Sequence, residues 1–208
     1  MEIRAHQFRH SDLVGGHVVL DFVNTVTARN AQPGDWLDSY RRVLEWAALT
    51  AHFDERVIAR LGRMDRAEPA AGELALQRLR DLRETIYAAL VAVIRGERRR
   101  RGTLASLETF WKEAAAASTL APSGRRLRPE LSPRLSGLDY PTHELALQAV
   151  ELLQDVPIAR TRVCPGCGWL FIDRSRGGQR RWCDMATCGN AAKSRRHYAR
   201  VRAGRRKN

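Results

Sequence analysis

The four cysteines of this 208-residue chain constrain its fold more than any other feature, because all of them lie within one 25-residue window. Cys164 and Cys167 are separated by two residues, fifteen residues follow, and Cys183 and Cys188 are separated by four. A first pair with this spacing turns both sulfurs towards one ion, and the Pro-Gly insert between them suits the turn. Four thiolates match the tetrahedral preference of structural zinc sites. The spacing therefore predicts one structural Zn²⁺ ion held by the four cysteines.

Two other interpretations of the cysteines are a redox C-x-x-C pair and an iron–sulfur site, and neither accounts for the second pair as well as zinc does. With four cysteine ligands, zinc has no open position for a catalytic water. A module of about fifty residues with few large apolar side chains folds poorly alone, and metal binding worth about 10–16 kcal/mol offsets this deficit. His197, nine residues past Cys188, is expected at the surface or on a phosphate rather than on the metal.

The positive charge of the chain is concentrated around the same cysteines. The full chain carries a net charge of +13. Residues 158–208 contain 14 Lys and Arg against two acids, Asp173 and Asp184, which gives this segment a net charge of +12. The residues before it are therefore close to neutral. This asymmetry predicts a polyanionic partner for the C-terminal segment alone.

The residues between and after the cysteines predict a β-hairpin followed by a basic helix. In the fifteen-residue gap, the alternating segment 169–173 predicts a strand, Gly177-Gly178 a turn, and the segment 180–182 the returning strand. A helix is expected after Cys188, with Asp184 or Asn190 as its cap. The residues predicted to contact nucleic acid are Arg174, Arg176, Arg180, Arg181, Lys193, Arg195, Arg196, His197, Arg200 and Arg202. Turn, hairpin and zinc-anchored helix together are typical of a treble-clef-like finger, which presents a basic helix to a groove.

The body of the chain, residues 1–157, predicts a mainly helical domain with a small β component. The second domain, residues 158–208, is the treble-clef-like zinc finger. The fold class of the whole chain is therefore expected to be α+β.

Within the body, the apolar residues of Gly16–Thr27 predict a buried strand. Helices are predicted by apolar residues at helical spacing over 35–50, 71–95, 104–117 and 141–156. A short helix capped by Asp54 is expected to end at Gly62, and the segment 118–141 is expected to be a long loop with room for a hairpin. The run Arg98–Arg101 is expected to be a solvated helix end, with a nucleic-acid contact as the alternative.

No apolar run reaches the roughly 18–20 residues that span a bilayer, and the first residues lack the apolar stretch of a signal peptide. A cytoplasmic protein without membrane contacts is therefore expected. His17, Asp21 and Asn24 lie on or beside the predicted strand and are candidate ligands for a small-molecule effector. No nucleophile–base set, phosphate loop or open metal site is visible, so the chain is not expected to be an enzyme.

The C-terminal segment resembles a known family. The residues that carry the likeness are the segment 169–175, Arg180 to Cys183, Met185 to Asn190 and Lys193, and they are similar to the CGNR zinc finger. Leu20 to Thr25 and Tyr40 to Ala47 are similar to the opening of ABATE, the domain that usually precedes this finger. The family signature Cys-Gly-Asn-Arg has an alanine, Ala191, in its last position here, which leaves the metal ligands intact. The resemblance implies a bacterial DNA-binding transcriptional regulator with a sensing or dimerising N-terminal domain.

Two functions of different class follow from these features. The first is a zinc-dependent transcriptional regulator that binds duplex DNA through the finger, with homodimerisation through the body as a further source of affinity. The second is a zinc-stapled module that binds RNA or an acidic protein. Competition between duplex DNA and structured RNA at matched salt distinguishes them.

Overall fold

A computed structural model of the chain describes residues 6–97, 101–155 and 158–205, so the arginines at 98–100 of the basic run lie outside the described part. The body contains the helices α1 (Val18–Val23), α2 (Tyr40–Thr50), α3 (Glu55–Ala67), α4 (Pro69–Ile94), α5 (Arg101–Ala116), α6 (Pro133–Ser136) and α7 (Tyr140–Asp155). Its strands are β1 (Val26–Thr27), paired with β2 (Gly34–Asp35), and β3 (Ser118–Ser123), paired with β4 (Arg126–Leu131). The finger contains β5 (Thr161–Val163), β6 (Leu170–Ile172) and α8 (Asn190–Arg205). The predicted fold class is confirmed.

The core of the body forms around α1 and α4. Leu20 and Phe22 of α1 are completely buried, and so is Leu145 of α7. On α4, Leu79 and Ile86 are 1% exposed and lie on the apolar face that the helical spacing predicts. Burying each of these side chains contributes about 1.5–3 kcal/mol relative to leaving it in water. The core therefore positions α1, and with it the residues that reach the finger.

The strand predicted over Gly16–Thr27 is wrong for its central half, because Val18–Val23 form the short helix α1 and only Val26–Thr27 lie in a strand. His17 caps the helix by accepting a hydrogen bond from the backbone N–H of Val19 at 3.2 Å. The backbone N–H of Gly15 donates to the carboxylate of Asp21 at 2.8 Å, which closes the turn before the helix. Since the segment is buried on every side, its apolar pattern does not distinguish a helix from a strand.

The remaining predictions for the body differ from the structure mainly at element ends. α2 begins at Tyr40 rather than at residue 35, because Gly34–Asp35 pairs with Val26–Thr27 in a hairpin. Asp54 caps α3 as predicted, but the helix continues through the buried Gly62 to Ala67. α4, α5 and α7 agree with the predicted spans within three residues at each end. In the segment predicted to be a long loop with room for a hairpin, β3 and β4 form that hairpin, and the short helix α6 follows it. Within the described ranges, no helix is long and apolar enough to cross a bilayer.

Candidate metal centre and nucleic-acid interface

The first two cysteines lie on a tight turn between β5 and β6, which pair in antiparallel fashion. The backbone N–H of Gly168 donates to the carbonyl of Cys164 at 2.9 Å, and the N–H of Cys164 donates to the carbonyl of Trp169 at 2.7 Å. Gly168 has φ +81°, a conformation that side chains disfavour. A Cβ atom at Gly166 would lie 3.1 Å from the sulfur of Cys188. The glycines therefore let the turn bring its sulfurs close to the second pair.

The four cysteine sulfurs lie close enough together to bind one metal ion. All four ligand atoms lie within 4.8 Å of one another, with Sγ–Sγ distances of 3.5 Å between Cys167 and Cys183 and 3.8 Å between Cys183 and Cys188. A tetrahedral zinc ion with Zn–S bonds of about 2.3 Å places its sulfurs about 3.8 Å apart. The residues therefore fit one zinc ion, which would supply structural cross-linking rather than an open catalytic position.

The electrostatics of the cluster also favour a cation. Hydrogen bonds from Cys167 and Cys183 hold the pKa of the Cys164 thiol well below its usual range. The contact with Cys164 raises the pKa of Cys167 to about 12, and contacts with Cys164 and Cys167 raise that of Cys183 as well. The Cys164 thiolate opposes ionisation of Cys167 and Cys183, and a bound divalent cation would favour the thiolate form that binds metal.

The backbone carbonyls of the cysteine turn accept hydrogen bonds from the body. The backbone N–H of Arg29 donates to the carbonyl of Cys167 at 3.0 Å, and the hydroxyl of Tyr87 donates to the carbonyl of Gly168 at 3.0 Å. The Arg29 guanidinium lies over the Tyr87 ring at 3.9 Å and pairs with Glu84 at 2.7 Å. The body thus holds the outer side of the turn that carries the first two sulfurs.

Strand β6 is shared between the body and the finger. Leu170 and Ile172 point into the main core of the body, whereas Phe171 packs with Cys164 and Cys183 beside the metal centre. This alternation is the one that the sequence predicts for the segment 169–173. A single strand therefore forms part of the wall of both cores.

Asn24 locks β6 to the body. Its side-chain amide donates to the carbonyl of Leu170 at 2.9 Å, and its side-chain oxygen accepts from the N–H of Leu170 at 2.8 Å. Asn24 is 1% exposed. The indole N–H of Trp169 donates to the carbonyl of Val26 at 2.8 Å, and the N–H of Ile172 donates to the carbonyl of Gly15 at 2.9 Å. The residues before and after α1 therefore form hydrogen bonds with the two ends of β6.

The hairpin predicted between the two cysteine pairs is wrong in its second strand, because β6 pairs with β5 and the segment 180–182 is not a strand. The buried carboxylate of Asp173 closes the loop instead. It accepts hydrogen bonds from the N–H and hydroxyl of Ser175 and from the N–H of Arg180, and these bonds lower its pKa. The turn at Gly178, with φ +63°, is present as predicted.

The metal centre lies at the start of α8. Asp184 accepts hydrogen bonds from the backbone N–H and the hydroxyl of Thr187, at 2.8 Å and 2.9 Å, and so caps the turn Met185–Gly189. This turn contains Cys188 and continues directly into α8, as the sequence predicts. A zinc ion bound to Cys188 would therefore fix the position of the basic helix.

Six basic side chains of α8 are exposed and have no acidic partner among the described residues. Lys193, Arg195, Arg196, His197, Arg200 and Arg202 are all exposed. Among the described residues, none of these six lies within 4 Å of a carboxylate. His197 also lies outside the cysteine cluster. Because the charge of this helix is not neutralised within the described chain, it is available to an external polyanion.

Two of the arginines predicted to contact nucleic acid also have structural contacts within the chain, and their nucleic-acid contacts stay a prediction. The Arg174 guanidinium donates to the carbonyl of Gly16 at 2.7 Å. The Arg180 guanidinium donates to the carbonyls of Trp182 and Cys183 and lies 4.7 Å from the centre of the Phe171 ring. Arg176 and Arg181 are exposed, and Arg181 lies over the Trp182 ring.

The three residues predicted as effector ligands are all engaged in hydrogen bonds. His17 caps α1, Asp21 accepts from Gly15, and Asn24 holds Leu170. Burial raises the pKa of Asp21 to about 6 and lowers that of His17. These hydrogen bonds explain why three polar residues occur in an otherwise apolar segment. Their role as effector ligands stays a prediction.

Sequence reasoning missed the residues by which the body holds the finger. Arg29 and Tyr87 contact the cysteine turn from the body, Tyr87 from a position 81 residues away. Asn24 reaches Leu170 across 146 residues. For Asn24, the sequence indicates a special role only because the residue is polar inside an otherwise apolar segment. Nothing in the local pattern indicates which distant strand it binds.

Comparison with known families agrees with this geometry. The ABATE family, described as "Putative stress-induced transcription regulator", matches residues 16–156, which is more than half of the chain. The CGNR zinc finger matches residues 160–201, which include all four cysteines and most of α8. Neither is a family of enzymes. No curated protein matches the chain.

Proposed function

Because the chain belongs to the ABATE family and carries a CGNR zinc finger after that domain, we propose that it is a zinc-dependent transcriptional regulator that binds duplex DNA through the finger. The observation that carries the proposal is the basic helix α8, whose exposed cationic side chains lack acidic partners among the described residues. Zinc, bound to the four clustered cysteines, fixes the start of this helix.

The electrostatics of the chain support a polyanion as partner. The segment 158–208 holds +12 of the net charge of +13. Phosphate contacts release counterions from DNA, so affinity falls with salt in proportion to the number of phosphates neutralised. The five exposed Lys and Arg residues of α8, namely Lys193, Arg195, Arg196, Arg200 and Arg202, predict a slope of log K against log salt of roughly −5.

The test is an anisotropy titration of a labelled DNA duplex with the zinc-loaded protein, from about 50 to about 200 mM KCl. A slope near −5 is the expected result. A slope near zero contradicts the proposal, because it means that phosphates contribute little to binding. Competition by structured RNA or by an acidic protein at matched salt identifies the alternative partner: an RNA that displaces the duplex at lower concentration overturns the assignment to DNA.

Effector sensing and homodimerisation of the body remain predictions of the family resemblance. The polar residues near α1 support a structural role, since each has a hydrogen-bond partner within the chain. Sedimentation equilibrium of the zinc-loaded protein tests dimerisation, and a mass that stays at one chain of 23.5 kDa refutes it.

A further inference from the structure

The positions of the charged residues around α8 indicate the shape of the partner, which their number alone does not. Successive residues of an α-helix are rotated by about 100°. Lys193, Arg196 and Arg200 therefore lie along one side of the helix, which we call flank A. Arg195 and Arg202 lie roughly 180° from Lys193, and we call this opposite side flank B. All five side chains are exposed, so both flanks are open to a partner.

The attachment of α8 defines a third direction. Ala192 is 7% exposed and marks the side on which the helix rests against the finger. Ser194 and Tyr198 follow it by rotations of roughly 200° and 240°, which places both on the outward edge between the two flanks. Tyr198 is 66% exposed. The outward edge thus presents hydrogen-bonding side chains between two rows of positive charge.

This arrangement suits a groove rather than a flat surface. A helix that lies on a membrane combines one charged face with an apolar face, and α8 has positive charge on opposite sides instead. The major groove of B-form DNA is about 12 Å wide and accepts a helix of about 10–12 Å in diameter, with a phosphate backbone on each wall. The major groove of A-form RNA is too deep and narrow for this.

We propose that α8 enters the major groove of duplex DNA, with flank A on one phosphate backbone and flank B on the other. In this orientation Ser194 and Tyr198 point towards the base edges and determine sequence preference. The inference rests on the proposed function, since it specifies how the same helix binds the same partner.

The test compares two variants with equal loss of charge in the full-length, zinc-loaded protein. The first is Lys193→Gln with Arg200→Gln on flank A, and the second is Arg195→Gln with Arg202→Gln on flank B. The control is Arg56→Gln with Arg60→Gln, which removes the same charge from exposed positions of α3. Zinc content and unfolding midpoint are measured for all three. They are expected to match the unmodified protein, because the substituted side chains are exposed.

Each flank variant is expected to reduce the magnitude of the salt slope by about 2, and the control to leave it unchanged. If one flank variant behaves like the control while the other lowers the slope, α8 lies on one side of its partner and the groove orientation is refuted, although DNA binding stands. If the unmodified protein has a slope near zero, the proposed function itself fails. The two failures are therefore distinguishable.

The outward edge is tested by selecting duplexes from a random pool with the unmodified protein and with Ser194→Ala/Tyr198→Phe. This variant keeps every charge, so its salt slope is expected to stay the same. Its selected sequences are expected to lose preference at one or more base pairs. An identical selected motif would overturn the assignment of these two residues to base edges.

Discussion

Substituting Asn24 is expected to destabilise the body and the finger together. Asn24→Ala removes two hydrogen bonds, of 2.9 Å and 2.8 Å, and leaves the buried backbone N–H and C=O of Leu170 without partners. Each unsatisfied buried group costs about 1–3 kcal/mol, so the combined loss is about 4 kcal/mol. For a chain of this size, that corresponds to a fall in Tm of about 8–16 °C.

The matched control is Asn30→Ala. Asn30 donates to the carbonyl of Pro165 in the same interface, but the distance is 3.4 Å and the side chain is exposed. Its loss is expected to change stability by less than about 0.5 kcal/mol. Urea unfolding of both variants, followed by circular dichroism and by zinc release to a chromogenic chelator, gives the two free energies.

The expected result is a large loss for Asn24→Ala and a negligible loss for Asn30→Ala, with zinc release and loss of helix at the same urea concentration. Equal, small losses in both variants would refute the reasoning that the amide of Asn24 locks β6 to the body. Zinc release well before the loss of helix would refute the claim that the two cores share a strand.

Three further predictions follow from individual contacts. Removing zinc with a chelator is expected to lower the Tm of the body helices as well as of the finger, because β6 belongs to both cores; a body transition unchanged by chelation in calorimetry argues against it. Burial raises the pKa of Asp21 to about 6 in the folded protein. Between about pH 4 and 6 the folded state therefore binds more protons than the unfolded state, and the free energy of unfolding falls as the pH rises through this window. Asp21→Asn is therefore expected to stabilise the protein by up to about 3 kcal/mol at about pH 8 and by little at about pH 4, and an equal gain in urea unfolding at both pH values contradicts this. Arg180→Ala is expected to lower the free energy of unfolding by about 1–2 kcal/mol, because it loses hydrogen bonds to the carbonyls of Cys183 and Trp182. Arg181→Ala is expected to lower DNA affinity in anisotropy titrations with little change in urea unfolding. A larger loss of stability in Arg181→Ala, or a larger loss of affinity in Arg180→Ala, contradicts these roles.

The metal centre was predictable from the sequence because its information is local. The spacing of the cysteines alone fixes which sulfurs can meet, and the turn residues between Cys164 and Cys167 fix how they are aimed. The basic helix was predictable for the same reason, since its composition and its position after Cys188 are continuous in the chain.

The segment 16–27 was mispredicted because burial on all sides removes the polar face that reveals a period. The hairpin between the cysteine pairs was mispredicted because side-chain hydrogen bonds, rather than a ladder, close the loop. The carboxylate of Asp173 accepts a hydrogen bond from the backbone N–H of Arg180, which a returning strand would have donated to its neighbour. The contact of Asn24 with Leu170 is a property of the folded chain alone, since 146 residues separate the partners.

The most direct test of the account is the zinc dependence of DNA binding. Affinity for a short labelled duplex is measured at one KCl concentration with the zinc-loaded protein, after chelation, and after zinc is restored, with metal content determined at each step. The account predicts one zinc per chain, a loss of affinity of at least about tenfold on chelation, which is about 1.4 kcal/mol, and recovery on restoring the metal. Equal affinity with and without zinc would contradict the claim that the metal positions α8 for binding.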